Sequence, residues 1–116
     1  MKELVFKAND ISTSDYGYIH FSTSTKGPCK EGIFLLLQKL GSKTRIIVVE
    51  YDIPATLNYN NFTLRLDSRH LFLSNLTYNI QDNPYKSITV LFDVDDEKLS
   101  EIKDRLNEAY PYQIQI

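Results

Sequence analysis

The sequence predicts an α+β fold in which a mixed, mostly antiparallel sheet packs with two helices. Several runs of strand length are alternating or β-branched, and two longer segments carry signals for the start and end of a helix. The chain has 116 residues, of which 42% are hydrophobic and 12% aromatic. This composition is too apolar for a disordered chain, and the length predicts a single globular domain over residues 1–116.

The N-terminal part of the chain predicts two strands separated by a turn. Residues 2–8 alternate apolar and polar side chains, and residues 9–15 are polar and typical of a turn. Residues 16–23 again have the composition of a strand. Leu4, Phe6 and Ala8 share one side of the first strand, and Ile19 and Phe21 share one side of the second.

The first helix is predicted over residues 28–40. Pro28 suits the first helical turn, where its missing N–H costs nothing, and Glu31 suits the positive end of the helix dipole. Gly41 lies where a helix commonly stops. Because the apolar residues in between cover more than one face, we expect this helix to be largely buried against a sheet.

The middle of the chain predicts four further strands. The first of them holds a β-branched run that is apolar on both faces, which predicts a central strand that ends at Pro54. A loop rich in Asn and Tyr follows, and the next two strands form a hairpin with a loose turn. In chain order the strands are residues 43–52, 62–67, 71–78 and 87–92, and the loop is residues 56–61.

The second helix is predicted over residues 95–110, because Asp95 is a good N-cap and apolar residues then recur at helical spacing. Pro111 ends this helix, and residues 112–116 predict an edge strand. The element order contains two β-α-β units. It therefore predicts a ferredoxin-like (split βαβ) core with a hairpin inserted after the middle strand.

The charge balance and the cysteine count narrow the classes of function. A single cysteine allows no disulfide within the chain, which favours a reducing cytoplasm. The longest apolar runs are too short to span a membrane. The formal net charge is −2, and residues 93–116 hold seven acids and three bases. This balance argues against direct binding of nucleic acid, which needs clustered cations.

Cys29 and the loop before it form one candidate site. Cys29 lies near a predicted helix N-terminus with Lys26 and Lys30 close by, which favours a lowered thiol pKa. Either His20 or His70 could act as its base. The same loop could bind an anion through Thr25, Lys26 and Gly27. It lacks the Lys-Ser/Thr ending of a phosphate-binding P-loop. An unreactive thiol and a solvated capping loop are the favoured interpretations.

His20 lies in the strand segment Tyr-Ile-His-Phe-Ser-Thr. A His-x-Ser/Thr on an early strand resembles the first motif of some ADP-ribosyl-transfer folds, over about five residues of this chain. The resemblance implies a nucleotide-dependent transfer reaction around His20. The late catalytic glutamate of such a site has no clear match, although Glu50 and Glu97 are candidates. A half-buried strand histidine beside hydroxyls is the favoured interpretation.

Four acids, Asp93, Asp95, Asp96 and Glu97, cluster where a predicted strand ends and the second helix begins. With Asp52 they could hold Mg²⁺. The same residues are typical of an N-cap and a first helical turn, and capping is the favoured interpretation. Two histidines and one cysteine give no standard zinc pattern. We therefore expect neither a metal nor a cofactor.

Tyrosines and carboxylates suggest a recognition surface. Exposed tyrosines with asparagine neighbours supply rigid contact area together with adaptable hydrogen bonds. Some of the tyrosines fall in polar loops, and others flank the end of the acidic second helix. The predicted partner-binding residues are Tyr59, Tyr85, Glu97, Glu101, Asp104, Glu108, Tyr110 and Tyr112.

Two hypotheses for function follow. The favoured one is a small acidic, non-enzymatic binding module that covers a basic site on a larger protein, as immunity proteins and phage inhibitors of nucleic-acid enzymes such as defence nucleases do. The alternative is a small enzyme or a nucleotide- or anion-binding protein with its site at His20, Cys29 and residues 23–27. Strands at both ends of the chain could also pair between copies, which allows a homodimer.

Overall fold

The computed structural model describes most of the chain, namely residues 2–14, 18–23, 32–40, 43–51, 53–59, 62–74, 76, 85–110 and 114–115. These ranges contain ten strands and one helix. In chain order they are β1 (Lys2–Lys7), β2 (Asp10–Ser14), β3 (Tyr18–Ser22), β4 (Ile33–Leu40), β5 (Lys43–Glu50), β6 (Ile53–Tyr59), β7 (Thr63–Leu66), β8 (His70–Ser74), β9 (Tyr85–Leu91), α1 (Asp96–Ala109) and β10 (Ile114–Gln115). The fold is thus mixed α+β and mostly strands.

The strands form two sheets of five strands each. The first sheet has the order β1-β9-β8-β7-β10, in which β1 runs parallel to β9 and β10 runs parallel to β7. The second sheet has the order β2-β3-β4-β5-β6 and is antiparallel throughout. The chain crosses from the first sheet to the second between β1 and β2, where the Ala8 N–H bonds Leu91 O and the Asn9 N–H bonds Ser22 O.

One hydrophobic cluster takes side chains from both sheets and from α1. The rings of Phe21, on the second sheet, and Phe92, which follows β9, stack with centroids 6.5 Å apart. The Tyr85 hydroxyl donates to Glu50 Oε1 at 3.0 Å and joins β9 to β5. The buried members on the second sheet are Ile19, Phe21, Ile33, Leu35, Leu37, Ile46 and Val48.

The alternation predicted for the N-terminal strands is confirmed. Leu4 and Phe6 of β1 are buried, as are Ile19 and Phe21 of β3, while His20 lies on the other side of β3 and is half-buried. The predicted hairpin is also present as β7 and β8. Its turn is held by Asp67, whose Oδ1 accepts from the backbone N–H groups of Arg69 and His70, both at 2.8 Å.

The helix predicted over residues 28–40 is wrong for its longer part, because residues 33–40 form β4. Residues 28–31 lie outside the described ranges. A run that is apolar on both faces fits the period of a strand as well as that of a helix. Pairing with β5 along the full length of β4 decides between them, since cross-strand contacts override the helix propensity of the leucines.

Two segments that we expected to be irregular are also strands. The turn predicted over residues 9–15 contains β2, and the loop predicted over residues 56–61 begins with the end of β6. Pro54, expected to end a strand, lies inside β6. It is tolerated there because β6 is at the edge of the second sheet and a proline need not donate on its open side.

The second helix is confirmed as α1, and the terminal edge strand is confirmed as β10. The ferredoxin-like core is not confirmed. That arrangement needs one sheet with two helices, whereas the described strands divide into two sheets and the described helix is α1.

Candidate protein-binding site

The exposed face of α1 carries four carboxylates in one line, which we call the acidic stripe. Its members are Glu97, Glu101, Asp104 and Glu108, and all four side chains are exposed. Their spacing of four, three and four residues places them on one side of a helix. The opposite side holds Ile102 and Leu106, which are fully buried in the core. Because the opposite face of α1 is buried in the core, the stripe faces outward.

Both ends of α1 are tied to the rest of the molecule. The Asp95 side chain accepts from the Lys98 N–H at 2.7 Å and caps the first turn, as the sequence predicted. At the other end the Lys39 ammonium, from β4, donates to the Ala109 carbonyl at 2.6 Å. The last turn of α1 has no basic residue of its own, so Lys39 supplies the cation that the helix dipole favours there.

Two members of the stripe have partners. Glu101 accepts a hydrogen bond from Thr13 Oγ1 on β2, and Lys98 Nζ lies 3.5 Å from its other oxygen. The Thr13 hydrogen bond and then the Lys98 charge lower the pKa of Glu101. Glu108 is paired with Arg105 at 3.3 Å. The oxygens of both carboxylates are partly held in place by these contacts.

The other two members, Glu97 and Asp104, have no side-chain hydrogen bond or ion pair within the part of the chain that the structure describes. Their charges are available to a partner without first breaking an internal contact. Residues 95–110 hold six acids and three bases, a net charge of −3. The exposed face of α1 is therefore a negatively charged surface.

The tyrosine part of the predicted surface is wrong for two of its members. Tyr85 is 3% exposed and Tyr110 is 1% exposed, so neither ring lies on a recognition surface. Tyr85 begins β9 and bonds Glu50, and Tyr110 packs edge-on against Phe62 with ring centroids 5.8 Å apart. The polar neighbours of both tyrosines in the sequence suggested that they are exposed. The residues that pack over them could not be identified from the local sequence.

The other two predicted tyrosines are not placed as contacts. Tyr59 ends β6, and its side chain is outside what the structure describes. Tyr112 lies outside the described residues. Their proposed roles in binding remain predictions.

The alternative site around His20 is described only in part, since Thr25, Lys26, Gly27 and Cys29 lie outside the described residues. His20 Nε2 lies 3.5 Å from Asp10 Oδ2, and its ring is tilted against that of Phe34 with centroids 5.2 Å apart.

An open cleft of about 470 Å³ lies where the two sheets meet the start of α1. Its wall is mostly polar and mixes both signs of charge, from Lys7, Asp10, Asp93 and Lys98. Asp95, the central acid of the cluster considered for Mg²⁺, is occupied as the N-cap of α1. Among the described residues no three acids, histidines or cysteines come together as a metal site. Asp52 lies outside those residues.

Two of the most exposed apolar residues in the described ranges were not singled out from the sequence. Tyr51 and Ile53 flank the turn between β5 and β6 and are 57% and 71% exposed. Tyr51 has a positive φ of 51°, which is uncommon for a residue that is not glycine. Two residues separate β5 from β6, a spacing that is typical of a tight hairpin. Pro54, which was expected to end a strand, obscured this pattern.

The structure has no helix, across the ranges that it describes, whose length and hydropathy would let it cross a lipid bilayer. Comparisons of the chain with protein families, with curated proteins and with solved structures find no match.

Proposed function

We propose that the chain is a small, non-enzymatic binding module that inhibits or neutralises a larger protein by covering a basic site with the acidic stripe of α1. The observation that carries this proposal is the line of four exposed carboxylates on a helix whose other face is locked into the core. A charged surface of this kind speeds encounter with an oppositely charged partner and selects against others.

The rigidity of α1 supports binding. Capping by Asp95 and the contact from Lys39 hold the two ends, and the Thr13 hydrogen bond holds the middle at Glu101. A surface that is already ordered loses little conformational entropy when a partner binds. The stripe can therefore act as a preformed template for cationic side chains.

The length of the stripe suits a site that normally holds nucleic acid. From Glu97 to Glu108 the helix rises about 17 Å at 1.5 Å per residue. That distance corresponds to about five nucleotides of one DNA strand measured along the duplex axis. The proposed partner class is accordingly a nucleic-acid enzyme with a basic substrate channel, such as a nuclease, with the chain acting as an immunity protein or a phage-type inhibitor.

The test uses two variants with the same change in net charge. Glu97→Lys with Asp104→Lys reverses the two unpaired members of the stripe, and Glu3→Lys with Asp93→Lys reverses two exposed acids away from it. Each chain, immobilised, is used to capture proteins from the lysate of the native host. We expect a retained basic protein to be lost with the stripe variant and kept with the control.

The captured protein is then assayed for nuclease activity with and without the chain at equal molar amounts. Inhibition by the wild type and by the control variant, but not by the stripe variant, is the expected result. Equal capture by both variants, with circular dichroism showing that both are folded, would reject the stripe as the binding surface. Binding that does not weaken with added salt would do the same.

A further inference from the structure

The second sheet has an apolar centre on its outer face, which is the side that points away from the first sheet. Residues on β4 alternate, so that Leu35 and Leu37 are fully buried and Phe34 and Leu36 lie on the opposite side. The register with β5 places Val49 beside Phe34 and Ile47 beside Leu36. These four apolar side chains are half-buried and contiguous.

The corresponding face of the first sheet mixes charged and apolar side chains. Its cross-strand rows hold Lys7, Arg65 and His70 together with the apolar Val5, Phe72 and Leu91. An antiparallel sheet with one solvated face normally carries polar side chains on that face. The apolar centre of the second sheet therefore indicates a surface that another molecule covers.

Charged groups flank this apolar centre at two opposite corners. Asp10, on the edge strand β2, belongs to the cross-strand row of Phe34 and Val49. Arg45, on β5, lies four residues away along the strand from Val49. The outer face therefore has one acid at one corner and one base at the diagonally opposite corner.

Neither charge has a close ion pair among the residues that the structure describes. Arg45 Nε is buried and has no hydrogen-bond partner in the ranges that the structure describes. Asp10 Oδ2 lies 3.5 Å from His20 Nε2, which is longer than a good hydrogen bond. A carboxylate from outside the chain would suit Arg45, and a guanidinium from outside would suit Asp10.

We infer that a second copy of this chain covers the outer face of the second sheet in a two-fold symmetric dimer. In this dimer Asp10 of each copy pairs with Arg45 of the other, and the Phe34, Leu36, Ile47 and Val49 side chains pack together between the two pairs. Opposite charges at opposite corners make the face complementary to itself, which is what an interface with two-fold symmetry requires.

The register also fixes how the two copies cross. Asp10 and Arg45 are separated by four residues along the strands and by three strand spacings across the sheet, which is about 14 Å in each direction. The two-fold axis must therefore run at about 45° to the strands. The strands of the two copies then cross at about 90°, one of the two common ways in which sheets pack.

This inference does not depend on the proposed function. Thr13 and Lys39, which contact α1, share the inner face of the second sheet with Leu37, so α1 lies on the side opposite the outer face. A dimer through the outer face leaves both acidic stripes exposed to other partners.

The first experiment measures the oligomeric state by sedimentation velocity of the full chain up to about 100 µM, a range that detects micromolar dissociation constants. We expect a wild-type dimer, a monomeric Leu36→Asp variant and an unchanged dimer for Val5→Asp, which places the same charge on the outer face of the first sheet. The inference is overturned if the wild type is monomeric over the whole concentration range, even if it binds an unrelated protein instead.

The second experiment uses charge reversal and does not depend on Leu36→Asp being folded. Asp10→Arg and Arg45→Asp should each weaken the dimer by about tenfold or more, because each places like charges opposite one another. An equimolar mixture of the two variants should dimerise again, since every corner then meets its opposite charge. A mixture that stays as weak as its components, with both variants folded by circular dichroism, overturns the inference.

Discussion

Tyr85 and Tyr110 bury similar phenol rings in different hydrogen-bonding environments. The Tyr85 hydroxyl donates to Glu50, whereas the Tyr110 hydroxyl has no hydrogen-bond partner among the described residues. Burial raises the pKa of both phenols above its usual value, and the Glu50 carboxylate raises that of Tyr85 further. The two rings therefore form a natural comparison of a paired and an unpaired buried polar group.

We expect Tyr85→Phe to lower the free energy of unfolding by about 1–2 kcal/mol, because it leaves Glu50 without this donor. Tyr110→Phe should be neutral or stabilising by up to about 1 kcal/mol, because the hydroxyl that it removes is desolvated on folding without gaining a hydrogen bond. Urea unfolding of the two variants checks this order. Equal destabilisation by both changes would contradict it.

Glu101 gives a prediction about pH. Its pKa is lowered, chiefly by the hydrogen bond from Thr13, from the ordinary value of 4.5. Its contribution to stability is therefore present above about pH 4.5 and is lost as the pH falls through the lowered pKa. Thr13→Val should move the pKa of Glu101 back up, and Thr13→Ser should not. Carboxyl NMR titration measures the shift, and a Glu101 pKa that is the same in all three proteins would contradict the assignment.

Among the elements, α1 is stabilised at its N-terminus by a residue close in sequence and at its C-terminus by a distant residue. Its N-terminal cap is local, since Asp95 accepts from Lys98 three residues later. Its C-terminal cation comes from β4, because Lys39 reaches the Ala109 carbonyl. The sequence predicted the first of these contacts, because capping spacing is fixed along the chain. It could not predict the second, which joins residues that are 70 positions apart.

We expect Lys39→Met to lower the free energy of unfolding by about 1 kcal/mol, since it removes the charge at the negative end of the helix dipole. Lys103→Met is the matched control, because Lys103 is exposed on the same helix. Chemical denaturation gives the stability, and amide exchange of the last turn of α1 gives the local effect. Faster exchange in the control than in Lys39→Met would count against this role.

At the scale of the whole molecule, the two sheets share one core. Phe21 from the second sheet stacks on Phe92, and the buried cluster is continuous across both sheets and α1. We expect the two sheets to unfold together, because neither can keep its apolar inner face covered alone. The expectation of cooperative unfolding rests on this shared core.

Phe21→Ala should lower the free energy of unfolding by about 3–5 kcal/mol, because it opens a cavity between the sheets. Phe72→Ala, on the outer face of the first sheet, should cost about 1–2 kcal/mol. Far-UV circular dichroism and tyrosine fluorescence should follow the same urea transition in the wild type and in both variants. Two separated transitions would show instead that the sheets fold independently.

The candidate site was predictable in its charge but not in its aromatic part. The acidic stripe follows from the spacing of four carboxylates on a helix whose cap and apolar face are visible in the sequence. Whether a tyrosine is exposed depends on what packs over it, as with Phe62 over Tyr110. That information is carried by contacts between distant residues, which periodicity does not report.

Features with a local cause could be predicted from the residues alone: the alternation of β1 and β3, the Asp67 turn, and the limits and outward charge of α1. Long-range contacts set the rest, namely the pairing of residues 33–40 as a strand, the division of the strands into two sheets, and the position of Leu36 and Ile47 on an outer face. A run of apolar residues indicates burial but does not distinguish the period of a helix from that of a strand. Long-range strand pairing decides between helix and strand.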